Sequence, residues 1–234
     1  MANREEMLTR IRTALGRGAR EVTPLERLPR PVSSVPPEQL RDQFIDELLK
    51  VGGSVERVAG SQVISEHLEG FLKSRGTNRI AISDGADALA PTLRERLAAQ
   101  GAQLIPSLRE FQLPPHSPDS LAETYKQALI ETGAGVTTAD YAIADTGTLV
   151  LVSGGEQHRL ISLVPPLHVC ILKQSNILAN LAELISRVND GPYSRQRPPL
   201  VMTFVTGPSR TADIELTLTM GVHGPRELHV VIHP

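Results

Sequence analysis

Three stretches in the last hundred residues of this 234-residue chain set polar side chains among apolar strands. The first is Ala144-Asp145-Thr146-Gly147-Thr148, flanked by the apolar runs YAI and LVLVS. Those runs read as the two strands of a β-hairpin closed by a tight Asp-Thr-Gly turn. In open α/β sheets, ligands gather at strand ends, where loops carry polar groups over a rigid floor. Asp145, Thr146, Gly147 and Thr148 are therefore ligand-binding candidates, and Asp145 is also a catalytic one. Asp followed by Gly is equally the ordinary chemistry of a hairpin turn, so the same residues serve a purely structural reading.

The second stretch is EQHRLISLVPPLH, residues 156–168. Arg159 can grip a carboxylate or phosphate with two parallel hydrogen bonds, or form an ion pair with Asp145 or another acid. Glu156 follows two glycines and is a candidate carboxylate nucleophile or base. The third stretch runs from Thr206 to Glu215, just past the strand LVMTFVT. Its small-residue turn offers hydroxyls, backbone N–H groups and a guanidinium, a combination suited to anions. Gly207, Ser209, Arg210, Thr211 and Asp213 are the binding candidates. The structural alternative is an Arg210–Asp213 pair that pins an irregular loop. His223, between Val222 and Gly224, titrates near neutrality and suits a general base, or simply hydrogen-bonds its own loop.

Metal binding is not expected. His229 and His233 lie four apart in a strand, which separates them by roughly 13 Å along one face. No HExxH, P-loop, GxGxxG after a strand, or GxSxG motif occurs.

The elements that must position these residues alternate along the chain. A helix is predicted over 38–50, with Leu40, Phe44, Ile45, Leu48 and Leu49 on one stripe and Gly52-Gly53 as its stop. SVERVA follows as a strand, then a helix over 61–74 capped by Ser61, a strand over 79–83, a helix over 91–100 and the strand AQLIP. SPDSLAETYKQALIETG supplies a further helix, with Leu121, Tyr125, Ala128 and Leu129 inward. This rhythm predicts an α/β fold with a mostly parallel sheet flanked by helices. After the hairpin come a buried strand LHVCILK, a helix over 175–188, the strand LVMTFVT and a final strand near 227–232. Ahead of this single domain, taken as 38–234, stands an arm of residues 1–37. It combines a short helix, carrying Leu8, Ile11 and Leu15 on one face, with a Pro-rich tether. Residues 1–31 hold seven Arg against four Glu. The arm is read as folding back on its own domain or on a second copy, giving a homo-oligomer, or as docking another protein.

Composition narrows the function classes. A net charge of −2 and 3% aromatic content, with no Trp, argue against a nucleic-acid surface. No apolar run approaches the roughly 20 residues that span a bilayer. The N-terminus lacks the apolar core of a secretory signal, so a cytoplasmic location is expected. Cys170 is the sole cysteine and sits in an apolar run, which predicts a core residue. A lone cysteine cannot hold an iron–sulfur cluster unaided.

TADYAIADTGTLVL at 138–151, SLVPPLH at 162–168 and GPSRTADIELTLTMGVHGPRELHVV at 207–231 together resemble the lactate-utilisation protein C family, the single-domain LUD group. The resemblance implies the fold shared by sugar-phosphate isomerases, CoA transferases and the folate cyclo-ligase. It also implies a part in oxidising L-lactate to pyruvate with two separately encoded iron–sulfur proteins as partners. No cofactor is then expected in this chain, and a small anionic substrate is compatible with its polar loops. The family assigns no chemical step to this subunit. The competing reading is a free-standing enzyme on the same fold, acting on a phosphorylated or CoA-linked metabolite.

Overall fold

In the computed structural model, residues 4–14, 34–106, 119–153, 159–190, 201–212 and 218–234 are described. The chain divides into Met1–Arg30 and Pro31–Pro234. The first unit contains helix α1 (Arg4–Ala14), which buries none of its residues.

The second unit is built on a parallel sheet. Its strands are β1 (Ser54–Arg57), β2 (Arg79–Ile82), β3 (Gln103–Ile105), β4 (Ala134–Thr138), β7 (Leu167–Lys173) and β12 (Glu227–His233). Among the described residues it has six strands in the order β1-β12-β7-β4-β2-β3, each pair parallel. The chain moves outward from β2 to β3, then returns past β2 to β4. That reversal creates a topological switch between β2 and β4.

Alternating side chains face two layers, as the pleat requires. On one face, Ile80, Ile82, Val136, Val169, Ile171 and Val231 pack beneath α3 (Ile64–Ser74), α4 (Asp84–Leu89) and α5 (Leu93–Ala99). On the other, Cys170, Leu172, Leu228, Val230 and Ile232 meet Leu40, Phe44 and Leu48 of α2 (Pro37–Lys50). The same cluster includes Ala142, Ala144, Leu149 and Leu151 from the hairpin of β5 (Tyr141–Ile143) and β6 (Thr148–Ser153), whose strands pair antiparallel. Further along that face, Ala81 and Ile105 pack under α6 (Asp119–Ile130) and α7 (Arg159–Leu163). A small mixed sheet ordered β8-β5-β6-β9 is completed by β8 (Ile177–Leu178) and β9 (Val201–Val205). α8 (Leu181–Asp190) covers it through Leu184. A last antiparallel pair joins β10 (Arg210–Ala212) to β11 (Leu218–Met220).

Several expectations need correction. β4, fully buried at the centre of the sheet, was not foreseen, because AGVTT carries small and hydroxyl residues instead of an apolar run. Gly135 explains the choice: a Cβ there would overlap the Ile161 carbonyl, so its absence lets α7 lie directly on the strand. α4 was also missed, although Ser83 Oγ accepts the Ala86 N–H as its cap. The helix expected over 61–74 opens with a 3-10 turn at Ser61–Val63, and Ser61 makes no cap bond. The helix expected from 175 begins at Leu181, because Ile177-Leu178 pairs with β5 instead. Leu49, Leu181 and Ile185, expected inward, are about half exposed.

Candidate functional site

The structure gathers much of the expected site at the amino edge of the parallel sheet. Thr146 Oγ1 lies 2.8 Å from Thr148 Oγ1, which lies 2.7 Å from Thr206 Oγ1. Gly147, at φ +60°, sits against the backbone of Glu47 and Leu48 near the end of α2. Gly207, at φ +82°, abuts Val51 one turn later. Arg210 donates from Nη2 to the Val51 carbonyl at 2.6 Å. Ser209 N–H donates to Pro225 O, and Gly224 packs on Ser209, which draws in the loop carrying His223. The edge is fixed by Val51-Gly52, which leads into β1, and by Pro166, whose carbonyl accepts from Arg226 and Glu227 at the start of β12. The threonine hydroxyls are engaged with one another and the guanidinium with a main-chain carbonyl, so this cluster clasps the end of α2.

The remaining expected residues are dispersed. Asp145 is exposed, with its N–H donating to Ala179 O. His223 is exposed, and Thr211 lies in β10 opposite Thr219. Arg159 is exposed at the start of α7, where its carbonyl accepts from Ser162 Oγ. Glu156 and Asp213 fall outside the described residues.

At the opposite, carboxyl edge, a crevice of about 380 Å³ opens where β4, β7 and β12 end. Gly85 and Leu89 of α4, which follows β2, form one wall, so the crevice lies at the topological switch where ligands of open α/β sheets collect. Thr138, Asp140, Ile171, Lys173, Asn176 and His233 also line it. Lys173 and His233 are register partners at the last rung of β7 and β12. The Lys173 side chain is exposed and forms no ion pair among the described residues. His233 is buried, its Nε2 lacks a hydrogen-bond partner, and burial reinforced by the Lys173 charge lowers its pKa. Asp140 Oδ2 accepts the Val152 N–H at 2.7 Å, yet burial raises its pKa above the ordinary carboxylate value. An exposed cation, a neutral imidazole and a part-buried carboxyl thus share one opening. The ammonium can hold a small carboxylate or phosphate, and the other two groups can accept a hydroxyl proton. None of these residues was a site candidate from sequence, although the TAD triplet lay within a motif already noted.

A second buried polar group lies inside the sheet. His168 Nε2 is 2.7 Å from Thr137 Oγ1, with both side chains enclosed. Burial lowers the His168 pKa to about 4. Cys170 is wholly buried as expected, and burial pushes its thiol up to about 12.

With this geometry established, a family model described as the LUD domain matches residues 41–233. The chain belongs to the LUD-domain family. The Lactate utilization protein C of Deinococcus radiodurans is 30% identical over 228 residues, covering 97% of this chain and 93% of that protein. A protein of the same name from Exiguobacterium sp. is 28% identical across 100% of this chain and 97% of its own. A 36% match to the Lactate utilization protein C of Halalkalibacterium halodurans spans only 49% of this chain and 48% of that protein. In fold, the LUD-family chain resembles the crystal structure of a DUF162 family protein from Deinococcus radiodurans. That likeness has a TM-score of 0.59 and 21% identity, over 87% of this chain and 100% of that one.

Proposed function

We propose that this chain is the non-redox component of an L-lactate utilisation system, with iron–sulfur partner proteins carrying the electrons and its crevice holding a small carboxylate. The observation that carries this reading is Lys173, a cation with no ion pair among the described residues, at the carboxyl edge beside His233 and Asp140. The names of its relatives supply the pathway. Its one cysteine supports the division of labour, because a thiol raised to about 12 is a poor metal ligand. Leu181 and Ile185, one turn apart on α8 and about half exposed, suit docking of a partner protein. No helix among the described residues is long and apolar enough to cross a membrane, which is compatible with work in the cytoplasm. The fold of sugar-phosphate isomerases and CoA transferases belongs to the same proposal and agrees with the parallel sheet.

Removing the gene from its host should abolish growth on L-lactate and spare growth on pyruvate. The purified chain should show no cluster, flavin or haem absorption and should not oxidise lactate alone. Normal growth without the gene, or lactate oxidation by the isolated chain, contradicts the proposal. The second reading, a free-standing enzyme on a phosphorylated or CoA-linked metabolite, draws on Asp140 and Lys173 sharing one crevice. Turnover of such a metabolite by the purified chain would select it.

A further inference from the structure

We propose that Glu56, His67 and His229 form a divalent metal site of the zinc class, with the fourth position open to water. The three come from different elements: Glu56 from β1, His67 from α3 and His229 from the neighbouring β12. One donor atom from each lies within 4.8 Å of the other two. His67 Nε2 and Glu56 Oε2 are already 3.4 Å apart. Zinc bonds of 2.0–2.2 Å to nitrogen and oxygen give tetrahedral edges of about 3.4 Å. His229 is held in the core, whereas His67 and Glu56 are progressively more exposed and can close the remaining gap by rotation.

The second observation is the buried imidazole itself. Ser54 Oγ donates to the Leu228 carbonyl at 3.2 Å and lies 2.9 Å from His229 Nδ1. Both contacts are satisfied together when the serine donates to that carbonyl and accepts from Nδ1–H, the tautomer that leaves His229 Nε2 with a bare lone pair. That atom is buried, in a residue only 4% exposed, and has no hydrogen-bond partner. A buried acceptor without a partner is costly, and a cation is one way to satisfy it. Phe71 stacks on the His229 ring at 3.8 Å between centroids and fixes its plane. The nearby Arg75 is paired with Glu227 at 2.9 Å, which offsets its charge. A neutral histidine oriented by a second hydrogen bond is how proteins present imidazole to metals. Two histidines and one carboxylate suit zinc better than magnesium or calcium. Such a site would depart from the expectation, drawn from His229 and His233, that the chain holds no metal. His229 finds its partners across a strand pair and a helix, not along its own strand.

The site stands apart from the carboxyl-edge crevice and does not depend on the lactate reading. The test uses the full chain stripped with a chelator, then titrated with Zn2+ by calorimetry and with Co2+ by visible absorption. One Zn2+ per chain, a raised melting temperature and the intense bands of four-coordinate Co2+ are expected. His67→Ala and Glu56→Gln should each weaken Zn2+ binding at least tenfold, and Ser54→Ala by about tenfold through the lost tautomer lock. The metal-free melts of His67→Ala and Glu56→Gln should match the parent, which shows that both fold. Absence of Zn2+ binding by the parent overturns the proposal. So does equal binding by a His67→Ala/Glu56→Gln double variant, which would mark adventitious surface binding.

Discussion

His168 gives the fold a defined acid weakness. It is fully buried against Thr137, and burial lowers its pKa to about 4 from 6.5. A lowered histidine pKa means that the unfolded chain takes up a proton before the folded chain does. Stability is therefore complete above pH 6.5 and is lost as pH falls toward 4. The linked loss is about 2 kcal/mol at pH 5 and about 3 kcal/mol below pH 4. Asp140 acts in the opposite direction, because a raised carboxyl pKa favours the folded state on acidification. The His168 contribution must accordingly be read as a difference. Urea unfolding followed by far-ultraviolet circular dichroism at pH 7.5, 6 and 5 serves, with His168→Gln as the reference. The glutamine keeps a polar group toward Thr137 but does not titrate. Between pH 7.5 and 5 the parent should lose about 2 kcal/mol more than the variant. Equal losses would refute the assignment of a neutral, buried His168.

Three further outcomes follow from the packing. Gly147→Ala should cost more than about 2 kcal/mol, because it forces a side chain into φ +60° and against the Glu47–Leu48 backbone; thermal melts read this directly. Arg210→Ala should cost only about 1 kcal/mol, the loss of one exposed hydrogen bond to Val51, with a cooperative melt retained. Deleting residues 1–30, the first unit, should leave the melt of the remaining chain nearly unchanged, and calorimetry that shows lost cooperativity would place α1 in the core.

The helix-and-strand alternation was legible because its apolar residues follow the two backbone periods: Leu40, Phe44 and Leu48 on a helix, LHVCILK as a buried strand. The hairpin was legible from Asp-Thr-Gly between apolar runs. β4 was not, since a central strand covered by a closely approaching helix needs Gly135 and small hydroxyl residues, which leave no hydrophobic signal. The candidate site was only half legible. ADTGT and TGPSR (206–210) do meet, through Thr148 and Thr206, but around the end of α2. Their polarity serves a backbone clasp as readily as a ligand, and residue type alone does not separate the two. Lys173 and His233 looked like strand-end residues, and Asn176 fell in the helix expected over 175–188, because nothing in one dimension shows that β7 and β12 are neighbours. The Glu56, His67 and His229 cluster was hidden for the same reason, since it needs β1 paired with β12 from the far end of the chain.

The most direct measurement is a calorimetric titration of L-lactate into the full chain, into Lys173→Ala and into Arg210→Ala. If the carboxyl-edge crevice holds the substrate carboxylate, Lys173→Ala should weaken binding about tenfold or more, the loss of one charge-assisted contact. Arg210→Ala should then bind as the parent does. Unchanged affinity in Lys173→Ala, or a loss confined to Arg210→Ala, would contradict the account and return the site to the amino edge.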